Sequence, residues 1–279
     1  MNEALPPQKK DDTTMNLLID MGNTRTKWML ADERWQLTEG GVYEGDWARV
    51  PHLGDCTTAL LCATGRREDE LQQLATHGIG VVSFADLFFQ QQHGAGDAGT
   101  PATLPIIAYR DKERTLGQDR IAALCGAWER RHTACVVIDA GTCITVDYID
   151  GDGLFAGGAI MASPELQLHA MHQHTARLPE IDIDYALRYT LPYGDNTADA
   201  MLAGTVTATA TALRGFIDHY RSLDTTQQTS VIITGGIGLF MSRMIADAEY
   251  VEDLVFHGMA TVGRQLATNS SETIKSLRV

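Results

Sequence analysis

The chain has 279 residues with 36 acidic against 22 basic side chains, a formal net charge of −14, and a surface that negative repels phosphate backbones and anionic lipid, which argues against nucleic acid or membrane as the main partner. Hydrophobic residues at 44%, charged residues at 21% and 26 Gly beside 8 Pro exclude collagen-like and disordered chains and fit a globular protein of two ordinary domains. The five cysteines (Cys56, Cys62, Cys125, Cys135, Cys143) contain no C-x-x-C pair, which points to reduced thiols in a cytoplasmic protein, with neither a disulfide framework nor a thiolate zinc site.

Met1 to Thr14, with Pro6-Pro7 and mixed charges, predicts a disordered tail and not a signal peptide. No uninterrupted apolar run approaches the roughly 18 residues that span a bilayer. From Asn16 to Ile19 an apolar strand stops at Asp20, and after Met21-Gly22-Asn23-Thr24 a second strand runs from Arg25 to Leu30. The same shape recurs at Cys135 to Asp139, turn Ala140-Gly141-Thr142, and Cys143 to Asp147, which implies an internal duplication. The segment His93 to Thr103 reads as a loop, a helix follows Asp119 with Ile121, Leu124, Cys125 and Trp128 on one face, and another runs from Ala198 to Tyr220. Val231-Ile232-Ile233 then enters Thr234-Gly235-Gly236-Ile237-Gly238 and a helical pattern from Leu239 to Ala246. Hairpins alternating with helices, duplicated, predict an α/β or α+β chain of two similar halves.

The two turns share a plan: a carboxylate at a strand end, one residue, then Gly and a hydroxyl or amide side chain. Gly gives the backbone access to positive φ and to a close ligand, and the N–H and Oγ groups that follow can point at phosphate oxygens. Two such turns facing each other would cradle a polyphosphate, with Asp20 and Asp139 holding a metal or its water and Lys27 neutralising phosphate charge. The plain alternative is that D-x-G-N and D-x-G-T are ordinary hairpin turns; repetition, with Gly235-Gly236 able to flank a nucleoside, favours the nucleotide site.

In Leu116-Gly117-Gln118-Asp119-Arg120, Asp119 is either an N-cap with Arg120 solvated, or the group that accepts the proton of an attacking hydroxyl, kept ionised by Arg120 and the helix dipole. Three other patterns carry little. Gly94-Ala95-Gly96-Asp97-Ala98-Gly99 fits G-x-G-x-x-G but follows no buried strand. His169, His172 and His174 are spaced off a single helical face and read as surface or interface histidines. No P-loop motif occurs.

Taken together, Asp20-x-Gly22-Asn23-Thr24-x-x-Lys27, Gly117-x-Asp119-Arg120, Asp139-x-Gly141-Thr142, Gly157-Gly158-x-Ile160, Thr175-Ala176-x-Leu178-Pro179, Asn196-Thr197-x-x-Ala200 and Gly235-Gly236 resemble, in order and spacing from Met15 to about Ala267, the type III pantothenate kinases. The resemblance implies the actin-like acetate and sugar kinase superfold: two ribonuclease H-like domains, here 15–118 and 119–279, around a nucleotide cleft, usually in a homodimer. It implies transfer of phosphate from ATP to pantothenate, the first step of coenzyme A biosynthesis, with Mg2+ and a monovalent cation, K+ or NH4+. Carried over, Asp20, Met21, Gly22, Asn23, Thr24, Arg25, Thr26 and Lys27 bind the ATP phosphates, with Thr142, Gly235 and Gly236 also at the nucleotide. Asp119 is the general base. Gly117, Gln118, Arg120 and Tyr109 line the pantothenate pocket, Thr197 reaches it from the partner subunit, and Asp139 holds the monovalent cation. Two departures stand out: no Pro lies between Tyr109 and Gly117, and Met161-Ala162-Ser163-Pro164-Glu165 replaces a Pro-Gly turn. Two other readings remain at this stage, a catalytically inactive actin-like nucleotide-binding regulator and a kinase of the same superfold with another small hydroxy or carboxy acceptor.

Overall fold

The fold is described from a computed structural model covering residues 14–64, 68–94, 104–107, 115–224 and 228–268. The expected tail, except for Thr14, and Tyr109 lie outside these residues, as does most of the predicted 93–103 loop, whose first two residues instead close a helix.

Strand β1 (Met15–Met21) turns back as β2 (Thr26–Ala31) and β3 (Leu37–Val42); β4 (Cys56–Ala63), α1 (Glu68–Thr76), β5 (Gly80–Ser83) and α2 (Phe84–Gly94) complete the first unit. After α3 (Gln118–Arg131) the plan repeats as β6 (Cys135–Ala140), β7 (Cys143–Ile149) and β8 (Phe155–Ala162). An insertion follows: α4 (Pro164–His174), α5 (Ile183–Ala186), α6 (Thr197–Leu202), a π-helical turn at Ala203–Thr207 and α7 (Ala208–Leu223). Then come β9 (Ser230–Thr234), α8 (Gly238–Met244), β10 (Ala248–Tyr250) and α9 (Leu254–Thr268). The single helix predicted over 198–220 is thus interrupted by a π turn, whose Thr205 hydroxyl donates to the Met201 carbonyl at 2.9 Å.

The duplication is real in three dimensions. One sheet runs β3-β2-β1-β4-β5 and the other β8-β7-β6-β9-β10. Each has an antiparallel meander on one side of its founding strand and parallel pairing on the other. This is the ribonuclease H-like strand order twice over. The founding strands β1 and β6 are near-continuous apolar runs because both faces are covered. Each carries an Asp one residue before its end, at the carboxyl end of the parallel strands where open α/β sheets place ligands.

Between the sheets lie α3 and α9. Their apolar faces join Leu18, Met29 and Leu60 of the first sheet to Val137, Ile149 and Ile232 of the second in one core cluster. The two helices touch backbone to backbone. A Cβ at Gly258 would collide with the Ala122 carbonyl, and one at Gly126 would lie 2.6 Å from the Leu254 carbonyl oxygen. The crossing fixes where α3 begins, and Asp119 sits in its first turn. The helical stretch Thr197–Leu223 meets the length and apolarity of a membrane span, with a mean hydropathy of 1.2 and 44% of its window buried. Leu213 and Ile217 are part of a core cluster with β6, β7 and β9, so this stretch has the character of a core helix.

Gly258→Ala is expected to cost about 1–3 kcal/mol, the usual penalty of overpacking a close contact. Gly215→Ala, on the exposed side of α7 with nothing within 4 Å of the added methyl, should instead gain a few tenths to about 1 kcal/mol. Denaturant unfolding of both variants checks this, and equal stability of Gly258→Ala and wild type would contradict the close crossing.

Candidate active site

Both hairpin turns are narrow because the flanking strands pair up to their ends. Asp20 stands opposite Lys27, and Asp139 opposite Thr145. In the first turn the Gly22 N–H donates to the Arg25 carbonyl at 3.2 Å. The turns meet: the hydroxyls of Thr24 and Thr142 share a hydrogen bond of 2.9 Å across 118 positions of sequence. The glycine turn after β9 lies against the second hairpin, where the Ile237 N–H donates to the Ala140 carbonyl at 3.1 Å. Gly235 has φ +91°, and a Cβ there would come 2.5 Å from Asp139 Oδ1 and 2.6 Å from the Ala140 carbonyl carbon, so only glycine fits. Beside Gly236 is the guanidinium of Arg25. Arg25, Lys27, Gly235, Gly236, Tyr250 and Phe256 are among the residues lining a cleft of about 380 Å³ that opens from the turns.

Charge is concentrated around the two turns. Burial pushes the Asp20 carboxyl up to about 6; Lys27 opposes the rise, the neighbouring Asp119 adds to it, and Arg25 opposes it. Burial likewise lifts Asp139 to about 7, helped by the charges of Asp119 and Asp20 and opposed by Lys27. Buried Cys62, on β4 beside Asp20, is pushed well above the ordinary thiol range by burial and then by the same three carboxylates. It is packing, not a nucleophile. Among the described residues no group of three or more His, Cys, Asp or Glu is arranged to hold a metal. Asp20 and Asp139 could therefore hold a hard cation only together with ligand oxygens or water, the usual manner of Mg2+ at phosphates.

Several expected side chains do something other than the sequence suggested. Met21 is 1% exposed and belongs to the first-sheet core. Thr26, 2% exposed, donates its hydroxyl to Glu70 Oε2 at 2.8 Å. At a phosphate, both could offer only backbone. Neither Gly22 nor Gly141 adopts positive φ. At Gly22 the constraint is space, since a Cβ would lie 3.2 Å from the Arg25 carbonyl.

Asp119 is not the N-cap: Gly117 holds that place without a side chain, and Asp119 Oδ1 accepts the Arg120 N–H at 2.8 Å. Gln118 Oε1 accepts the Ala63 N–H at 3.4 Å, tying the start of α3 to the end of β4. Arg120 is not solvated. Its Nε donates to Asp147 Oδ2 at 3.0 Å and its Nη2 to Asp147 Oδ1, in a fork with a carboxylate only 2% exposed. Thr197 is exposed at the start of α6, and the described contacts join α6 to the π turn and to a cluster with α4 and α5, not to the groove. The departure at Met161 to Glu165 starts a helix, with Ser163 Oγ capping the Leu166 N–H at 3.2 Å and Pro164 in the first turn. His169, His172 and His174 lie on α4, where His172 Nδ1 sits 2.9 Å from the Leu178 carbonyl oxygen. Sequence reasoning missed Asp147. The available signal was a carboxylate inside an otherwise apolar strand.

Known proteins share this fold and much of this sequence. A structure described as a Baf family transcriptional activator from Campylobacter jejuni overlays with a TM-score of 0.57 at 19% identity, covering 91% of this chain and all of that one. A 2-dehydro-3-deoxygalactonokinase protein from Sinorhizobium meliloti gives 0.51 at 14%, covering 90% and 98%. At those identities they establish the shared two-domain fold alone. A type III pantothenate kinase of Flavobacterium johnsoniae is 38% identical over 240 residues, 83% of this chain and 89% of that one. With residues 16–219 matching the family model for type III pantothenate kinase, the chain belongs to that family and phosphorylates pantothenate with ATP, at the entry to coenzyme A biosynthesis.

Proposed function

We propose that the paired turns grip the triphosphate of ATP while Asp119 takes the proton of the pantothenate hydroxyl. The observation that carries this is the Thr24–Thr142 hydroxyl contact, which sets the two turns face to face, with the charge of Asp119 felt by both Asp20 and Asp139. Thr24, Thr142 and the backbone of Gly22 and Asn23 meet phosphate oxygens, Lys27 and Arg25 neutralise their charge, and the cleft beyond Gly235-Gly236 takes the nucleoside. The hydroxyl oxygen attacks the γ-phosphorus; an O–P bond forms, the bond from phosphorus to the β,γ-bridging oxygen breaks, the proton passes to Asp119, and ADP leaves. Asp119 serves by orienting the nucleophile. Gly117, Gln118, Arg120 and Tyr109 form the acceptor side.

The donor set suits cations. Desolvated carboxylates at a phosphate site are hard oxygen ligands, and burial and mutual repulsion leave Asp20 and Asp139 in want of positive charge. Asp20 would hold Mg2+ or its water, and Asp139 a monovalent cation, K+ or NH4+. These ions supply charge neutralisation of the triphosphate.

Further parts of the reading concern the whole molecule. The two domains divide at 118/119, with α9 returning over the first sheet. The chain works as a homodimer, supported by the edge strand β8 with Ile160 at 62% exposure and by exposed Leu166, Tyr185, Leu191 and Tyr193 in the insertion; Thr197 would reach a partner's acceptor pocket. Five free cysteines suit a reducing cytoplasm, and the charge of −14 opposes nucleic acid and anionic membrane.

Purified protein with pantothenate and Mg-ATP should release ADP in a manner dependent on K+ or NH4+. Asp119→Asn should lower kcat by about 10²- to 10⁴-fold with the fold intact, the usual worth of a positioned proton acceptor. Full activity of that variant would remove Asp119 from the chemistry. Sedimentation equilibrium should give twice the chain mass, falling to one chain in an Ile160→Asp, Tyr193→Asp double variant; a monomeric wild type would contradict the dimer.

A further inference from the structure

The Gly157-Gly158 pair and the buried Asp147 have no part in the phosphate grip, yet they meet at one point of the acceptor side. Arg120 leaves the first turn of α3 and reaches the second sheet, where Asp147 takes its Nε and Nη2 in a two-pronged ion pair, the two side chains being 14% and 2% exposed. On the edge strand, Gly158 stands in register with Asp147. A Cβ at Gly158 would collide with Asp147 Oδ1 and lie 2.9 Å from Arg120 Nη2. Glycine is therefore required there by the ion pair together with the Val146 carbonyl oxygen, 2.6 Å from the same Cβ. Gly158 is exposed, so only a glycine backbone separates the pair from the open side of β8.

A buried ion pair contributes little net stability once desolvation is counted, so its worth lies in where it puts the guanidinium. Arg120 has a competing carboxylate next to it in sequence. Asp119 receives only the Arg120 backbone N–H, while the guanidinium goes to Asp147. The fork with Asp147 uses one edge of a planar group with five N–H donors and leaves the remainder available.

We propose that Asp147, with Gly158 as its clearance, is a positioning residue for the acceptor: it holds Arg120 so that the free guanidinium edge receives the carboxylate of pantothenate, and it withholds Arg120 from Asp119, whose own carboxylate stays open to the acceptor hydroxyl. This rests on the reading of Arg120 as an acceptor-side residue of a pantothenate kinase. It explains why the guanidinium passes over the carboxylate next to it in sequence.

The test is steady-state kinetics on Asp147→Asn, Gly158→Ala, Arg120→Ala and the Arg120→Ala, Asp147→Asn double variant. Both Asp147→Asn and Gly158→Ala should raise KM for pantothenate about tenfold or more, as loss of a partner to a buried charge does, with KM for ATP within about twofold. The double variant should have the pantothenate KM of Arg120→Ala alone, because Asp147 acts only through Arg120. Additive losses, equal shifts in both KM values, or loss of the folded state by circular dichroism in both single variants would assign the pair to general stability and overturn the proposal. A wild type inactive on pantothenate would overturn the acceptor reading as well; an active wild type with unmoved variants overturns the role of Asp147 alone.

Discussion

Like charge held in a partly dry groove governs this molecule. Asp20 and Asp139 stand one residue before the ends of the founding strands of the two sheets and Asp119 opens the helix between them; its charge bears on both, and that of Asp20 bears on Asp139. With carboxyls at about 6 and about 7 in place of the ordinary 3.8, protonation favours the folded state: that contribution is full below pH 3.8 and is lost as pH rises through 6 and 7. At neutral pH the groove therefore works against the fold until positive charge enters it. A triphosphate cannot supply that charge. Lys27 and Arg25 supply part, and on the proposed reading bound cations would supply the remainder, a need set by the arrangement of carboxylates and not by a cage of ligands.

The fold exists to impose that arrangement. Duplicated sheets bring equivalent strand ends to equivalent places, and α3 and α9, touching through Gly126 and Gly258, lock the start of α3 between them. The site divides along the same lines. On the proposed reading, phosphate donors come from turns, which offer backbone N–H groups and short hydroxyls. The proposed proton acceptor comes from a helix start tied by Gln118 to the end of β4, so phosphorus and hydroxyl would meet on elements fixed to one core.

Much of this was legible in the sequence, because strand alternation, helical spacing and a repeated D-x-G turn are local signals. Strand β1 at Met15–Met21 and the start of α3 at Gln118 fall within a few residues of the predicted ones. What escaped depends on side-chain direction and long-range partners. The motif Asp20 to Lys27 does not reveal that Met21 and Thr26 turn into the core, because alternation in a hairpin depends on which face the rest of the chain covers. The glycines of the turns suggest positive φ, whereas the structure uses positive φ only at Gly235 of the three glycine turns at the groove. The Arg120–Asp147 pair spans 27 residues, and nothing local announces that an Asp in an apolar strand will meet an Arg at a helix start.

The most direct test follows Asp139 by carboxyl-carbon NMR titration in protein freed of nucleotide and small cations. Its titration near pH 7 is expected, moving to clearly lower pH when K+ and a Mg2+-bound, non-hydrolysable ATP analogue are added, since opposite charge favours the ionised form. An Asp139 that titrates in the ordinary carboxylate range in the ligand-free protein, or one that ignores both ions, would contradict a groove whose fixed charges call for cations.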